Sequence, residues 1–226
     1  MKACALLLAT LMACHLSHAQ IGIVRGNVDV QHQKKKSAGN ADVVVWLTPY
    51  QTHSPVVPGP SAHLLQKNKQ FLPHVVAITM GTTVEFPNRD PFFHDVFSIY
   101  HGKPFDLGLY ESGASRKVAF TKPGVSYIFC NIHPEMSAVI VALQTPYFAQ
   151  TKADGKFEIT NLPPGRYKLE VWHELASASD LEGLKRDIQI NPGEQVLPAL
   201  IVRVSDSAPG HTNKYGEAYS RDHASY

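Results

Sequence analysis

Short runs of β-branched and aromatic residues, separated by Gly, Pro and Asn, recur along most of the chain. Such runs are typical of β-strands, because these side chains pack well on a pleated sheet and the intervening residues favour turns. The pattern predicts strands over residues 24–30, 43–47, 74–80, 82–86, 96–100, 116–120, 125–129, 138–143, 156–159, 167–172, 186–190 and 199–204. Residues 175–184 could form a short helix, but no long segment has a helical period. The spacing of the strands predicts an all-β protein made of sandwiches, without alternating βαβ units.

The first nineteen residues predict export. Lys2 precedes an apolar run over residues 3–13, and Ser17-His18-Ala19 matches a small-x-small cleavage signal. We interpret residues 1–19 as a secretory signal peptide, too short for a transmembrane span, and expect a periplasmic or secreted protein. The run Leu11-Met-Ala-Cys14 also resembles a lipobox, which would anchor the protein through Cys14. Because Met12 fits that pattern poorly, we favour the free form.

Composition agrees with a folded, exported protein. The chain has 226 residues, of which 44% are hydrophobic and 18% charged, with a formal charge of +2. This length accommodates one large or two small domains after the signal peptide is removed. The near balance of charge gives no sign of nucleic-acid binding. No transmembrane span is expected after the signal peptide, and the polar residues 206–226 are interpreted as a flexible tail.

One group of side chains predicts a specific chemistry. Cys130, His133 and Met136 lie in a single short run between two predicted strands, and His94 lies upstream, beside another predicted strand. A thiolate, two imidazoles and a weak axial thioether are the ligands of a blue-copper electron-transfer site. The Cys-x-x-His-x-x-Met spacing allows one loop to supply three ligands. His94 must then arrive from a second loop at the same end of the fold.

Each of these residues also has a plainer interpretation. Cys130 could be a buried, unreactive thiol, although it is left alone once the other two cysteines are removed with residues 1–19. Met136 could be a core residue at the start of an apolar run, and His94 an ordinary loop histidine. Their joint spacing favours metal ligation. We assign no ligand role to His101 or Glu135, and regard His74, His173, His211 and His223 as structural or solvent-facing.

Residues 60–145 resemble a cupredoxin domain. The run from Phe71 to Asn88 is similar to the strand, glycine turn and strand before the first histidine ligand, and Phe93-His94-Asp95 matches the ligand position. The short Cys-x-x-His-x-x-Met loop and His133-Pro134 resemble those of amicyanins. The resemblance implies a Greek-key sandwich with one type 1 copper site. Many cupredoxins have Asn directly after the first histidine, whereas this chain has Asp95. The hydrogen bonds that usually surround the site are therefore not assured here.

Residues 146–205 resemble a second family, the carboxypeptidase-regulatory, transthyretin-like sandwich. The resemblance is carried by Asp154-Gly155, by Pro163-Pro164-Gly165 and by the strands that follow each of these turns. An earlier strand pair of that family matches residues 26–30 and 41–46, which precede the copper-like segment. We therefore predict one sandwich, residues 21–50 with 146–205, split by an inserted cupredoxin domain. In the alternative, the N-terminal strands pair with the cupredoxin sheet.

Three functions fit these features. The first is a periplasmic blue-copper protein that cycles Cu(I) and Cu(II). By analogy with amicyanins and methylamine-utilisation proteins, its partner would be a c-type cytochrome or an amine dehydrogenase. The second is a copper-binding or delivery protein without redox cycling, and the third an extracellular adhesion or scaffold module. An enzyme is not expected, because the sequence has no nucleophile elbow, paired-carboxylate signature or second ligand cluster.

Overall fold

The computed structural model describes residues 21–34, 39–51, 55–99, 101–206, 208 and 210–219. The predicted signal peptide and the lipobox-like Cys14 lie outside these residues. The described chain is almost entirely β, which confirms the all-β prediction. None of the described segments forms a helix with the length and hydrophobicity that a membrane span requires.

The strands of the described residues follow in chain order. They are β1 (Gly22–His32), β2 (Val44–Pro49), β3 (Ala62–His63), β4 (Leu65–Gln66), β5 (Phe71–Leu72), β6 (Val75–Thr79), β7 (Thr83–Pro87), β8 (His94–Ser98), β9 (Phe105–Tyr110), β10 (Ser115–Ala119), β11 (Gly124–Cys130), β12 (Ser137–Leu143), β13 (Phe148–Gln150), β14 (Lys156–Leu162), β15 (Gly165–Trp172), β16 (Arg186–Ile190), β17 (Gly193–Val196) and β18 (Leu200–Val204). A helix, α1 (Ala178–Leu184), lies between β15 and β16.

Strands β3 to β12 form what we call the central sandwich. A five-stranded sheet of order β6-β12-β11-β8-β9 packs on a three-stranded sheet of order β10-β7-β3, and β4 pairs with β5. Alternate residues Val84 and Phe86 of β7 point into a core that they share with Val96, Ile128 and Ile140 of the larger sheet. This alternation is the two-residue period expected of a strand with one buried face.

The remaining strands form what we call the flanking sandwich. Its sheets have the order β14-β1-β17, with β18 also paired to β1, and β13-β2-β15-β16. Trp46 of β2 lies opposite Glu170 of β15, and Gly26 of β1 lies opposite Phe157 of β14. Segments before and after the central sandwich therefore share both sheets, as the split arrangement requires. Among the described pairings, β1 and β2 join no strand of the central sandwich. The transthyretin-like identity and the domain limits remain predictions.

The two sandwiches are packed against each other through an apolar cluster. Val44 and Trp172 of the flanking sandwich contact Val75, Val139 and Val141 of the central one. All five side chains are at least nine-tenths buried. The flanking sandwich therefore covers the side of the central sandwich that β6 and β12 form. The predicted ligands are not part of this contact.

Several local features differ from the pattern-based prediction, which also lacked the short strands β3, β4, β13 and β17. The helix begins at Ala178 rather than residue 175, because the Ser177 hydroxyl accepts the N–H of Asp180 and so caps the first turn. Leu175 instead packs against the flanking core. Strand β9 was not predicted, because its sequence contains Asp106 and a glycine with positive φ, Gly108, which resemble turn residues.

Candidate metal centre

The loop between β11 and β12 is closed by its own backbone. β11 ends at Cys130, and β12 begins at Ser137. The Cys130 N–H donates to the Met136 carbonyl at 3.2 Å, and the Met136 N–H donates to the His133 carbonyl at 3.0 Å. These two bonds hold the ends of the loop together. The three predicted ligands of the loop are therefore kept at one end of the central sandwich.

His94 is brought to the same end by the pairing of β8 with β11. His94 is the first residue of β8, and Val96 lies opposite Cys130 in the ladder. Beyond the ladder, the Asn131 N–H donates to the Asp95 carbonyl at 2.8 Å. The backbone thus ties the second ligand segment to the first before any metal is considered.

Three predicted ligand side chains converge. The Cys130 sulfur lies 3.6 Å from His94 Nδ1 and 3.5 Å from His133 Nδ1. The ligand atoms of the three residues all lie within 4.8 Å of one another. His94 and Cys130 have no exposed surface, and His133 is 5% exposed. The arrangement is a buried, preformed set of one sulfur and two nitrogen donors.

The measured distances fit a single ion held by these donors. Two bonds of about 2.0–2.3 Å that meet at a trigonal angle separate their ligand atoms by about 3.8 Å. The two sulfur-to-nitrogen distances, 3.6 and 3.5 Å, are close to this value. Soft sulfur with two imidazoles is the donor set that copper prefers in a trigonal electron-transfer site. The residues present therefore fit a copper ion without rearrangement of the backbone.

The surroundings of Cys130 affect its thiolate in two opposite ways. Backbone N–H groups of Asp95, Ile132 and His133 donate hydrogen bonds to its sulfur. Burial raises the pKa of the Cys130 thiol, and these donors offset that rise only in part. A bound cation would supply the remaining stabilisation, because metal ligation deprotonates a thiol. The site therefore stabilises the thiolate most effectively when it holds a metal.

A carboxylate fixes the orientation of His94. Its Nε2 lies 3.0 Å from Asp90 Oδ2, while its Nδ1 faces the Cys130 sulfur. We infer that Nε2 carries the proton and donates it to Asp90, which leaves the Nδ1 lone pair for a metal. Burial lowers the pKa of His94 more than Asp90 raises it, so the imidazole is neutral at pH 7.

Asp90 is itself held in place. The N–H of Lys69 donates to Asp90 Oδ2 at 3.0 Å, and the N–H of Asn68 donates to Oδ1. Burial acts to raise the pKa of Asp90, but the N–H of Lys69, the His94 imidazole and the N–H of Asn68 together hold it below its ordinary value. Asp90 was not among the predicted site residues. Its position four residues before the first histidine was the available signal.

Asp95, where many cupredoxins have Asn, still joins the two ligand segments. Its Oδ2 accepts the side-chain amide of Asn131 at 3.1 Å and pairs with Lys214 Nζ at 2.9 Å. The link therefore joins the amide of Asn131, next to Cys130, to the carboxylate of Asp95, next to His94. The added negative charge is balanced by Lys214, a residue far away in the sequence.

Met136 is fully buried in the same core as Cys130. Its backbone position in the closed loop suits the predicted axial role, which remains a prediction. The plainer alternative, packing alone, is also consistent with this burial. His74 instead pairs with Glu174 at 2.6 Å, between the two sandwiches. His101 contacts the ring of Tyr127.

Sequence reasoning also missed the segment that covers the ligand loop. Residues 210–219, which we call the C-terminal strap, belong to the range interpreted as a flexible tail. In the structure, Tyr219 donates its hydroxyl to the Cys130 carbonyl at 3.0 Å, and His211 Nε2 lies 2.9 Å from the Pro134 carbonyl. Polar composition alone gave no signal for this contact.

Comparison with solved structures finds copper proteins. The chain is similar to a copper-containing nitrite reductase from Thermus scotoductus SA-01, with 28% identity over 43% of this chain and 26% of that chain, and a TM-score of 0.37. It is also similar to a purple cupredoxin from Nitrosopumilus maritimus, with 23% identity, 36% and 99% coverage, and a TM-score of 0.33. Amicyanin from Paracoccus versutus gives 22% identity, 43% and 97% coverage, and a TM-score of 0.34.

Other comparisons give no match. No family model matches the sequence, and no curated protein matches it. The chain spans about a quarter of the nitrite reductase that it resembles. Because every one of these TM-scores is below 0.5, the assignment of the site rests on its geometry.

Proposed function

We propose that the protein binds one copper ion through His94 Nδ1, Cys130 Sγ and His133 Nδ1, with the Met136 thioether as axial ligand. A copper ion bound there would accept and release one electron. The convergence of three buried donors within 4.8 Å is the observation that carries this proposal. The predicted signal peptide supports a periplasmic or secreted location.

Electron transfer is favoured over copper delivery by the burial of the donors. Delivery requires that an incoming ligand reach the ion and displace its donors one at a time. Here His94, Cys130 and Met136 have no exposed surface, and His133 is 5% exposed. A closed and preformed set of donors instead suits an ion that stays bound and changes its charge with little movement.

The four buried donors also favour an electron carrier over a copper enzyme. A copper enzyme needs an open position where its substrate can bind, as in catalytic metal sites generally. The four proposed donors would fill the three equatorial positions and the axial position of such an ion, and their side chains are buried. We therefore propose a role in electron transfer alone.

His133 is the proposed donor with the most exposed surface, and we propose that electrons enter and leave through it. Phe92 packs against its ring, with the two centroids 5.3 Å apart, and the neighbouring Phe93 is 50% exposed. We infer that these residues, with Pro134 next to His133 in the chain, form an apolar patch beside the ligand. A small apolar patch suits a brief encounter with a redox partner. By the resemblance to amicyanins, we propose a c-type cytochrome or an amine dehydrogenase as that partner.

The visible spectrum of the copper-loaded protein tests the proposal. We expect one copper per chain and an intense blue absorption band from charge transfer between the Cys130 thiolate and Cu(II). Cys130→Ser is the matched control, because it keeps the side-chain shape and removes the sulfur. The variant should lose the band completely. A colourless copper complex of the unaltered protein would contradict the proposal and favour a non-redox role.

A further inference from the structure

We propose that the C-terminal strap is a positioning element of the candidate copper site and that it acts through the charge of Lys214. The redox part of this inference rests on the proposed function. The part that concerns the ligand loop does not, because it can be measured on the metal-free protein.

The strap holds the ligand loop at two points. Tyr219 donates to the Cys130 carbonyl, and His211 Nε2 bonds the Pro134 carbonyl at 2.9 Å. The His211 ring also stacks on Phe129, the residue before Cys130, with the centroids 4.0 Å apart and the planes inclined by 21°. The two carbonyl groups lie on either side of His133. Contacts at these two points restrain the backbone that carries that ligand.

The strap has a folded turn of its own, which sets the position of Lys214. The Asn213 carboxamide oxygen accepts the N–H groups of Tyr215 and Glu217 at 3.0 and 2.9 Å. The Gly216 N–H donates to the Asn213 carbonyl, and Gly216 has a φ of +81°, which glycine adopts without strain. Lys214 lies inside this turn, and its N–H donates to Asn131 Oδ1 at 3.1 Å.

The Lys214 side chain then reaches the neighbourhood of the metal donors. Its Nζ lies 2.9 Å from Asp95 Oδ2 and 3.0 Å from Asp106 Oδ2, and the side chain is only 14% exposed. Asp95 follows His94 in the chain, and its N–H donates to the Cys130 sulfur. A charge at this depth is screened by solvent less than a surface charge. The charge of Lys214 would therefore act on an ion held by His94 and Cys130.

The direction of the effect follows from the charges. Without Lys214, the Asp95 carboxylate is less well compensated, and the extra negative potential favours Cu(II) over Cu(I). The reduction potential of Lys214→Met should therefore fall, with a change of about tenfold in the ratio of Cu(II) to Cu(I) affinity, which corresponds to about 59 mV for one electron. Asp95→Asn should raise the potential, and the double variant should lie between the two single variants.

Voltammetry on four variants tests the role of Lys214. Lys117→Met is the matched control, because Lys117 lies in the same sandwich and pairs with a carboxylate, Glu85, on the strand pair β7–β10. It removes the same charge and should leave the potential unchanged. An equal shift in Lys117→Met and Lys214→Met would overturn the proposal, because net charge alone would then explain both.

Hydrogen exchange on the metal-free protein tests the strap itself. A chain that ends at Asp206 should show faster exchange of the backbone amides of residues 130–133, 135 and 136, and faster modification of the Cys130 thiol. A chain that ends at Tyr219 keeps the strap and is the control, with rates like those of the full chain. Tyr219→Phe, which removes one hydrogen bond, should give a smaller increase.

The two experiments fail independently. Unchanged exchange and thiol reactivity after removal of the strap would overturn the positioning role, whatever the copper does. A protein that binds no copper, but whose ligand loop loses protection when the strap is removed, would contradict the proposed function and leave the positioning role supported.

Discussion

The central and flanking sandwiches have apolar cores of the same kind but differ in the polar groups that they bury. Twelve buried polar or charged residues are described, and ten of them belong to the central sandwich: Gln66, Thr79, Thr82, Asn88, Asp90, His94, Asp95, Ser98, Ser126 and His133. Thr145 and Thr151 lie beyond it. Because a buried polar group costs free energy unless it is hydrogen-bonded, its presence needs a reason.

The reasons differ between the two sandwiches. Thr151 accepts the Val43 N–H and donates to the Asn40 carbonyl, and so completes the backbone pairing of a loop. In the central sandwich, Asp90, His94 and His133 gather at one end around Cys130. Polar burial in the flanking sandwich thus serves the fold. The central sandwich buries some polar groups for the same purpose, such as Ser126, but it also buries the polar groups that assemble a site. The following changes should separate these roles.

A core truncation in the flanking sandwich should affect stability and nothing else. Leu169 has no exposed surface and lies in the middle of the flanking core. Leu169→Ala should lower the free energy of unfolding by about 2–5 kcal/mol, since it removes buried methyl groups and leaves a cavity. Urea denaturation measures the loss, and absorption of the folded, copper-loaded variant should match the unaltered protein. A changed spectrum would show that the flanking sandwich shapes the copper site.

Removal of the Asp90 charge should instead affect the metal site, by lowering its affinity for copper. Asp90→Asn keeps the size of the side chain but weakens the hydrogen bond that orients His94. Loss of such a partner lowers metal affinity by about 10–100-fold. Competition with a chelator of known affinity measures the change. Asp187→Asn in the flanking sandwich removes a carboxylate from an exposed pair with Arg166 and is the control, with unchanged affinity. Equal affinities in both variants would mean that His94 is oriented without Asp90.

Most of the site could be predicted from the sequence, but its supporting contacts could not. The ligand spacing predicted Cys130 and His133, and the resemblance around residues 93–95 predicted His94; the structure brings these three side chains together, whereas the axial role of Met136 remains a prediction. Asp95 was recognised as unusual, but its balancing charge was not found. Lys214 follows it by more than a hundred residues, and no local pattern in a polar segment reveals a contact over that distance.

The fold, like the site, was predicted in its main parts but not in every element. Runs of β-branched and aromatic residues predicted most strands, and the pairing of residues 43–47 with the segment after the central sandwich was expected from the second resemblance. β9 escaped prediction because Asp106 and Gly108 interrupt its pattern, and tertiary pairing with β8 overrides that local preference.

Substitution of Met136 should tune the site without destroying it. Met136→Gln should keep copper and the blue colour and lower the reduction potential, because a harder amide oxygen favours Cu(II) relative to a soft thioether. Voltammetry and absorption on the same sample measure both properties. An unchanged potential would make Met136 a packing residue and leave the three-donor site intact.

The smallest expected effect lies between the sandwiches. The hydrogen bond that His74 donates to the Glu174 carboxylate raises the pKa of His74 above its ordinary value of 6.5. The pair therefore contributes stability that is complete below pH 6.5 and is lost as the pH rises through the higher pKa of the folded protein. His74→Gln should cost less than about 1 kcal/mol, since the imidazole is partly exposed. Urea denaturation of both proteins across this range should show the difference shrinking with pH. A constant difference would mean that the charge of His74 contributes nothing.

X-ray absorption at the copper edge of the loaded protein tests the central claim most directly. We predict a first coordination shell of two nitrogen atoms and one sulfur at about 2.0–2.3 Å, with the sulfur contribution lost in Cys130→Ser. A shell of nitrogen and oxygen atoms alone in the unaltered protein would contradict the assignment of Cys130, His94 and His133 as the copper ligands.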